Sequence, residues 1–392
     1  MSEYLTEHLP DYLGGGIVNL MASIAAACAG KGSAYSRLTS VDDSALAQAR
    51  HIVLLVVDGL GYDYLDSVGA GSCLHGHLKA RLTSVFPSTT ASAVTCLLTG
   101  LPAQQHGLTG WHTYFREIGA IAAVLPLEPR HGGPTFTSLG IAAGTLLSGT
   151  PLFDRIGRPS HVVAPANIVD SDFNRFYSGS AKRTGYSSLD QCFAAIAEHI
   201  GSQQEPSFTH AYYPVIDAAS HAYGCHSSEV EQRFARLDQR FAGFLRAMAG
   251  SDTAVIVTAD HGFIDSPPER VIDMQQHPEL ARMLTLPLCG ERRIAYCYVH
   301  PRHQSAFAAY VDSEFAGRAV LMPSEELLAR GWFGLGAPHP RLLERIGDYT
   351  LLMQDDWTIK DQVEGEQRHV LIGVHGGTSA AEMFVPLLIA LV

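Results

Sequence analysis

The stretch His51–Val57 (HIVLLVV) restricts the fold more than any other part of the 392-residue sequence. After His51 every residue is apolar and most are β-branched, so a strand formed here would bury both of its faces. Strands of that kind are typical of a largely parallel sheet that helices cover on both sides. The run ends at Asp58-Gly59, which predicts a tight turn. We therefore expect Asp58 at the carboxyl edge of such a sheet, where α/β proteins bind their ligands.

The elements that follow alternate between helix and strand. Apolar residues at helical spacing predict one helix closed by Gly100 and another between two strand candidates. In chain order, the predicted elements are a helix over Ala91–Thr99, a strand over Ser207–Ile216, a helix over Ser228–Ala249 and a strand over Ala254–Thr258. This order predicts the α/β class, with a mostly parallel central sheet and helices on both faces.

The chain is longer than the ~250–300 residues that one hydrophobic core usually serves, so a second unit is expected. We assign residues 1–264 and 368–392 to the main α/β domain and residues 265–367 to a small inserted α+β lobe, limited by Pro267-Pro268 and the polar run Gln362–Arg368. Its predicted elements are a strand over Arg293–His300, a helix over Gln304–Phe315 and a strand over Arg318–Met322. The lobe begins shortly after Asp260-His261 and ends shortly before His375, which are candidate metal ligands on the motifs described below. We therefore expect the lobe to cap the site that these residues form and to set its substrate preference.

Composition and charge argue against some classes of partner. The formal net charge of −12 disfavours a broad nucleic-acid surface, which would need clustered lysines and arginines. The sequence starts without a secretory pattern, and the apolar stretch Ile17–Gly30 is too short to span a bilayer, so it predicts a buried helix. The seven cysteines form no CxxC pair and are expected to be free thiols. We expect a cytoplasmic protein with no membrane or nucleic-acid partner, and the oligomeric state stays open.

Four segments place carboxylates and imidazoles directly after apolar runs. Each alone has an ordinary explanation, because DG and DHG form turns and DxxxH is common as a solvated pair. Together they supply three carboxylates and three imidazoles, enough for two metal sites of three protein ligands each, with open positions for a substrate. The candidate ligands are Asp58 in LLVVDGLG, Asp217 and His221 in VIDAASHAYG, Asp260 and His261 in VTADHGF, and His375 in GVHGGTS. The nearby His226 is expected to face away from the site.

The same motifs carry a resemblance to a known family. In order along the chain, DG, FPSTTASAVTCLLTG, DxxxH, ADHG and HGG resemble the alkaline phosphatase superfamily and, within it, the type I phosphodiesterase/nucleotide pyrophosphatase family. The resemblance extends from about His51 to Val392, apart from the inserted lobe. It implies an alkaline-phosphatase-like fold and a hydrolase of phosphate esters, a phosphodiesterase or nucleotide pyrophosphatase, that uses two divalent metal ions.

The resemblance also implies a hydroxyl nucleophile at the start of a helix, ten residues before the glycine of a TG pair. Counted back from Gly100, that position is Thr90. The N-terminus of a helix stabilises an anion, and a metal contact would lower the pKa of the hydroxyl, so Thr90 would form a phosphothreonine intermediate. Two alternatives stay open: Thr90 only caps the helix, or Ser88 or Thr89 is the nucleophile.

Two metal sites are implied when the family's ligands are carried over residue by residue. One consists of Asp58, Thr90, Asp260 and His261, and the other of Asp217, His221 and His375. Two divalent ions against three carboxylates leave a charge of about +1, or about zero once Thr90 is ionised, so a phosphate ester can approach. Mixed nitrogen and oxygen ligands favour zinc, with manganese or iron as alternatives.

One position departs from the family pattern. After His106-Gly107, the phosphodiesterase branch has an asparagine that binds a phosphoryl oxygen, where this chain has Trp111. Two roles stay open for Trp111, stacking on a substrate ring and simple packing, and Arg116 is a further candidate for binding phosphate. We expect a small-molecule phosphate ester as substrate, with nucleotides among the candidates. A phosphomonoesterase or phosphonate hydrolase is the alternative, whereas a sulfatase or a non-enzymatic metal-binding scaffold is disfavoured.

Overall fold

The computed structural model describes residues 8–30, 32–42, 44–366 and 370–392. In chain order, the strands are β1 (His51–Val57), β2 (Leu78–Thr83), β3 (His112–Phe115), β4 (Ala120–Ala123), β5 (Glu128–Pro129), β6 (Ser160–Pro165), β7 (Lys182–Tyr186), β8 (Ser207–Tyr213), β9 (Thr253–Thr258), β10 (Ile264–Asp265), β11 (Val271–Asp273), β12 (Cys289–Gly290), β13 (Ile294–Cys297), β14 (Ala319–Pro323), β15 (Tyr349–Met353), β16 (Thr358–Lys360), β17 (Gly373–Val374) and β18 (Phe384–Leu391).

Helices of very different length connect these strands. In chain order, they are α1 (Ile17–Ala27), α2 (Ser44–Gln48), α3 (Tyr62–Ser67), α4 (Cys73–Gly76), α5 (Thr90–Thr99), α6 (Ala103–His106), α7 (Ala143–Leu146), α8 (Asp172–Ser178), α9 (Leu189–Ser202), α10 (Val215–Tyr223), α11 (Ser228–Ala247), α12 (Pro278–Met283), α13 (Gln304–Glu314), α14 (Ser324–Ala329), α15 (Leu342–Arg345) and α16 (Ala380–Met383). Among the described residues, no helix has the length and apolar character that crossing a bilayer requires.

The main sheet has the strand order β2-β18-β9-β1-β8-β6-β7. Strands β9, β1, β8, β6 and β7 run parallel to one another, and β18 is antiparallel to both of its neighbours. Every residue of β1 is buried, in a core to which α1, α5, α9 and α11 also contribute. The predicted α/β class, with a mostly parallel central sheet and helices around it, is therefore confirmed.

Three neighbouring strands deliver their carboxyl ends to one edge of this sheet. Strand β1 lies between β8 and β9, so Asp58, at the end of β1, is close to the residues that follow the other two. Strand β8 ends at Tyr213, three residues earlier than the sequence predicts, because Pro214 has no N–H to continue the ladder. Helix α10 begins directly afterwards, so Asp217 lies in its first turn instead of just beyond a strand.

The other predicted elements of this domain agree with the structure to within three residues, the largest difference being at α1, which ends at Ala27 instead of Gly30. Helix α5 begins at Thr90 and ends before Gly100, which has a left-handed conformation with φ of 68°. Helix α11 ends at Ala247, whereas the sequence predicted Ala249. Helix α1 is buried as predicted, and the cysteines are free thiols, all buried except Cys73.

A second sheet with the strand order β14-β15-β13-β12-β3-β4-β5 is antiparallel. Its strands β12 to β15 come from the predicted lobe, whereas β3 to β5 come from residues 112–129, which were predicted to belong to the main α/β domain. The two parts join through the pairing of Gly290 in β12 with His112 in β3. The chains approach closely at this point, because a Cβ added to the neighbouring Gly110 would lie 2.8 Å from the Cα of Gly290. The sheet is thus larger than the predicted lobe, and the lobe boundary at Gln367 lies outside the described residues.

Candidate metal centre

The first ligand cluster consists of Asp58, Asp260 and His261. One ligand atom from each lies within 4.8 Å of the others, and all three residues are buried. The Nε2 atom of His261 is 3.4 Å from Oδ1 of Asp58 and 3.3 Å from Oδ2 of Asp260. Directly after His261 the chain packs closely against Ala381, which requires glycine at position 262, because a Cβ there would lie 2.0 Å from the Ala381 carbonyl oxygen. The structure therefore brings together the carboxylates and the imidazole that the sequence analysis assigned to one metal.

The second cluster consists of Asp217, His221 and His375. The Oδ1 atom of Asp217 is 3.4 Å from Nε2 of His221 and 3.9 Å from Nε2 of His375. The Nδ1–H of His221 donates to the Gly373 carbonyl at 2.8 Å, which points Nε2 towards Asp217. The predicted second ligand set is therefore also assembled, and His226 lies outside it, with its ring stacked on Tyr64 at 6.0 Å.

The two clusters are in direct contact. The rings of His261 and His375 stack with centroids 3.7 Å apart, and Asp217, His261 and His375 also have ligand atoms within 4.8 Å of one another. His261 is thus within reach of both clusters. The division of the ligands between two ions stays a prediction.

The electrostatics of these residues fit bound cations. Oδ1 of Asp58, Oδ1 of Asp217 and Oδ2 of Asp260 are buried and accept no hydrogen bond from the described residues. Burial, followed by repulsion from neighbouring carboxylates, raises the pKa of Asp58 and of Asp217 well above its ordinary range. Burial and the nearby imidazoles hold the pKa of His375 well below its ordinary value. Buried carboxylates that repel one another, beside a neutral imidazole, form a donor set suited to divalent metal ions.

The hydroxyls of Ser88, Thr89 and Thr90 have different surroundings. The Ser88 hydroxyl donates to the Gly377 carbonyl at 2.7 Å, and the Thr89 hydroxyl donates to Oε1 of Glu291 at 2.5 Å. Thr89 is the N-cap residue of α5, and Thr90 is the first residue of the helix. The Thr90 hydroxyl lies 3.1 Å from Nε2 of His261. Of these three hydroxyls, that of Thr90 contacts the ligand cluster, and the N-cap position of the helix belongs to Thr89.

A cavity of about 710 Å³ opens beside the two clusters, and its walls include Thr90, Trp111 and Glu291. Trp111 is 40% exposed there. Arg116, the candidate phosphate ligand, does not line this cavity; it lines a different one and pairs with Glu344 at 3.1 Å. The reason is that β3 separates it from Trp111, and five residues of extended chain span about 16 Å. The structure therefore does not support Arg116 as a residue of this site.

Three further features of the site escaped the sequence analysis. The Tyr212 hydroxyl donates to Oδ2 of Asp58. The alternation of side chains between the two faces of the predicted strand β8 was the sequence signal available for this contact. Burial raises the pKa of Glu291 to about 7, and this residue reaches the cavity from the second sheet. Arg293 forms a buried, two-pronged ion pair with Glu382, and Glu382 also accepts from the N–H of Gly377 at 2.8 Å. No local sequence pattern indicates the position of Glu291 at the cavity or the ion pair of Arg293 with Glu382, because both bring together segments that are far apart in the sequence.

At its carboxyl edge, the parallel sheet presents clustered carboxylates and imidazoles together with the hydroxyl at the start of a helix. This arrangement indicates a metal-dependent hydrolase of phosphoric esters. Comparison with family models agrees: the model of the type I phosphodiesterase/nucleotide pyrophosphatase family matches residues 52–378. The chain belongs to this family, whose members are metal-dependent phosphoester hydrolases. The predicted resemblance is thereby confirmed.

Solved structures of similar fold include human ectonucleotide pyrophosphatase/phosphodiesterase 5, with 19% identity, a TM-score of 0.65 and coverage of 86% of this chain and 87% of that one. The murine protein, solved as an inactive threonine-to-alanine variant in complex with AMP, has 18% identity, a TM-score of 0.64 and coverage of 86% and 87%. Phosphonoacetate hydrolase from Sinorhizobium meliloti 1021, in complex with phosphonoformate, has 18% identity, a TM-score of 0.62 and coverage of 87% and 90%. At these identities the likeness shows the fold. A comparison with curated proteins finds no significant match.

Proposed function

We propose that this enzyme is a two-metal phosphodiesterase that acts through a phosphothreonine at Thr90. The observation that carries the proposal is the position of the Thr90 hydroxyl, which begins helix α5 and lies 3.1 Å from Nε2 of His261. Asp58, Thr90, Asp260 and His261 would hold one ion, and Asp217, His221 and His375 the other. Zinc is the proposed metal, because both ligand sets mix nitrogen with oxygen, and manganese or iron is the alternative.

The proposed reaction has two displacements at phosphorus. When bound, the metal ions supply Lewis acidity that favours the ionised hydroxyl and neutralises charge on the phosphoryl oxygens. Thr90 Oγ1 then forms a bond to phosphorus while the bond to the leaving oxygen breaks, and the leaving group takes up a proton. Water next attacks phosphorus, the bond to Thr90 breaks, and the hydroxyl regains its proton. The N–H groups at the start of α5 favour the negative charge that Thr90 carries before attack.

Replacement of Thr90 tests the proposal. Thr90→Ala should lower kcat/KM for bis-p-nitrophenyl phosphate by about 10³-fold or more, because no nucleophile replaces the hydroxyl. Thr95→Val is the matched control: it removes a hydroxyl from the same helix that donates only to the Ala91 carbonyl at 2.7 Å. Acid-quenched wild-type enzyme should contain phosphothreonine at residue 90 by mass spectrometry. Full activity of Thr90→Ala with its metals bound would contradict the proposal.

A second candidate is a phosphomonoesterase or phosphonate hydrolase with the same ligands. It is supported by Trp111, which stands where the phosphodiesterase branch has an asparagine, and by the fold shared with phosphonoacetate hydrolase. Turnover of p-nitrophenyl phosphate or of phosphonates at a higher kcat/KM than bis-p-nitrophenyl phosphate would favour this candidate. The proposed substrate is in either case a small phosphate ester or phosphonate, and the proposed location is the cytoplasm.

A further inference from the structure

The aromatic ring of Phe263 contacts all three imidazoles of the two ligand clusters. Its centroid lies 5.0 Å from that of His221, 5.4 Å from that of His261 and 5.1 Å from that of His375. The angles between the ring planes are 79°, 61° and 79°, so each contact has the edge-to-face form that aromatic rings favour. Phe263 therefore contacts ligands of both clusters, although it offers no metal-binding atom itself.

The backbone packs closely against this ring on segments that carry metal ligands. A Cβ added to Gly59, the residue after Asp58, would lie 2.5 Å from Cε2 of Phe263. A Cβ added to Gly373, two residues before His375, would lie 3.2 Å from Cδ1 of the same ring. A ring enclosed at this packing density has little freedom to tilt, so it presents a fixed surface to the imidazoles.

The three imidazoles differ in what else orients them. The Nδ1–H of His221 donates to the Gly373 carbonyl at 2.8 Å, and that of His261 donates to the Gly262 carbonyl at 3.1 Å. Each of these bonds directs the Nε2 atom of its ring towards the carboxylates. The ring of His375 lies between two others, stacked on His261 with centroids 3.7 Å apart and edge-to-face with Phe263. We therefore expect loss of the Phe263 ring to affect His375 most.

We propose that Phe263 is a positioning residue for both metal sites of the proposed function, on which this inference rests. An imidazole can turn about its bond to Cβ, whereas a metal ion requires the nitrogen lone pair to point at it, so neighbours that fix the ring plane raise metal affinity. Without the Phe263 ring, the imidazoles would lose freedom only when the metal binds, and this ordering opposes binding. The second cluster depends on Phe263 through His221 and His375 and the first through His261, so the second should lose more affinity.

Zinc binding by Phe263→Leu tests the proposal without any need for turnover. Metal-free protein is titrated with zinc in competition with a chelator of known affinity, and His375→Ala identifies the step that belongs to the second site. We expect the affinity of the second site to fall by about 10–100-fold, as is typical when an outer contact of a metal ligand is lost, and that of the first site to fall less. The visible spectrum of the cobalt-loaded variant should also differ from that of wild type, because it depends on the geometry of the ligands.

Phe193→Leu is the matched control. It removes a ring of nearly equal burial from the core of the same domain, since Phe193 is 7% exposed and Phe263 is 8% exposed. Phe193 stacks on Phe244, with centroids 4.8 Å apart, in the region between α9 and α11. This variant should lower stability to urea but keep the zinc affinities and the cobalt spectrum of wild type. If Phe263→Leu does not fold, Phe263→Met replaces it, because methionine fills more of the space without a flat ring.

The outcomes separate this inference from the proposed function. Zinc affinities and a cobalt spectrum equal to those of wild type in a folded Phe263 variant would overturn the positioning role. An equal loss of affinity in Phe193→Leu would do the same, because it would assign the effect to a general loss of packing. Failure of the wild-type protein to bind two ions would contradict the proposed function together with this inference, and the wild-type titration alone reveals it.

Discussion

Removal of Arg293 from its buried ion pair should destabilise the protein by about 3 kcal/mol. The Arg293 and Glu382 side chains are 2% and 0% exposed, and two nitrogen–oxygen contacts of 3.1 Å join them. Loss of one partner from such a pair costs about 3–5 kcal/mol, because an uncompensated charge stays buried. In Arg293→Met, the Gly377 N–H and the Ser379 hydroxyl still donate to Glu382, so we expect the lower end of this range.

Urea unfolding of metal-free protein measures this effect without a contribution from metal binding. The double variant Arg293→Met/Glu382→Gln should be more stable than Arg293→Met alone, because it leaves no unpaired charge. Arg330→Met is the matched control: its partner is Glu326, both side chains are more than 40% exposed, and such a pair contributes at most about 1 kcal/mol.

The same substitution should also weaken metal binding. Glu382 holds the N–H of Gly377, two residues after His375, so loss of its partner loosens the loop that carries this ligand. Outer contacts of this kind typically change metal affinity by about 10–100-fold. A loss of less than about 1 kcal/mol in Arg293→Met, combined with unchanged metal affinity, would refute the reasoning.

Two further predictions concern histidines. His375→Ala should lower the metal content of one site and leave the other largely filled, as measured by mass spectrometry of the bound metals; equal loss from both would contradict the assignment. His161 is buried, and burial lowers its pKa from 6.5 to about 4. Below pH 6.5 the unfolded chain binds a proton that the folded protein takes up only near pH 4, so this residue should cost up to about 3 kcal/mol of stability across that range. In urea unfolding at several pH values, the free energy of unfolding of His161→Gln should fall less than that of wild type between pH 6.5 and 4. The same dependence of this free energy on pH in both proteins would contradict this account.

The sequence by itself determined the central sheet and the ligands that follow its strands. The run His51–Val57 is apolar on both faces, which specifies a buried strand, and the Asp58 turn after it is a local property. The start of helix α5 and the spacing of four between Asp217 and His221 are equally local, so their positions could be predicted. The end of β8 was misplaced by three residues, because Pro214 interrupts an otherwise apolar run.

Only the tertiary structure decided what surrounds these ligands. Glu291 and Arg293 reach the site because β12 pairs with β3, which joins segments about 180 residues apart. The same pairing determines the path of β3, which takes Arg116 away from the cavity that Trp111 lines. Short strands with weak alternation contain little information about their partners, since pairing depends on the packing of the whole sheet. The positions of the candidate ligands were therefore predictable from local motifs, whereas the cavity wall beside them was not.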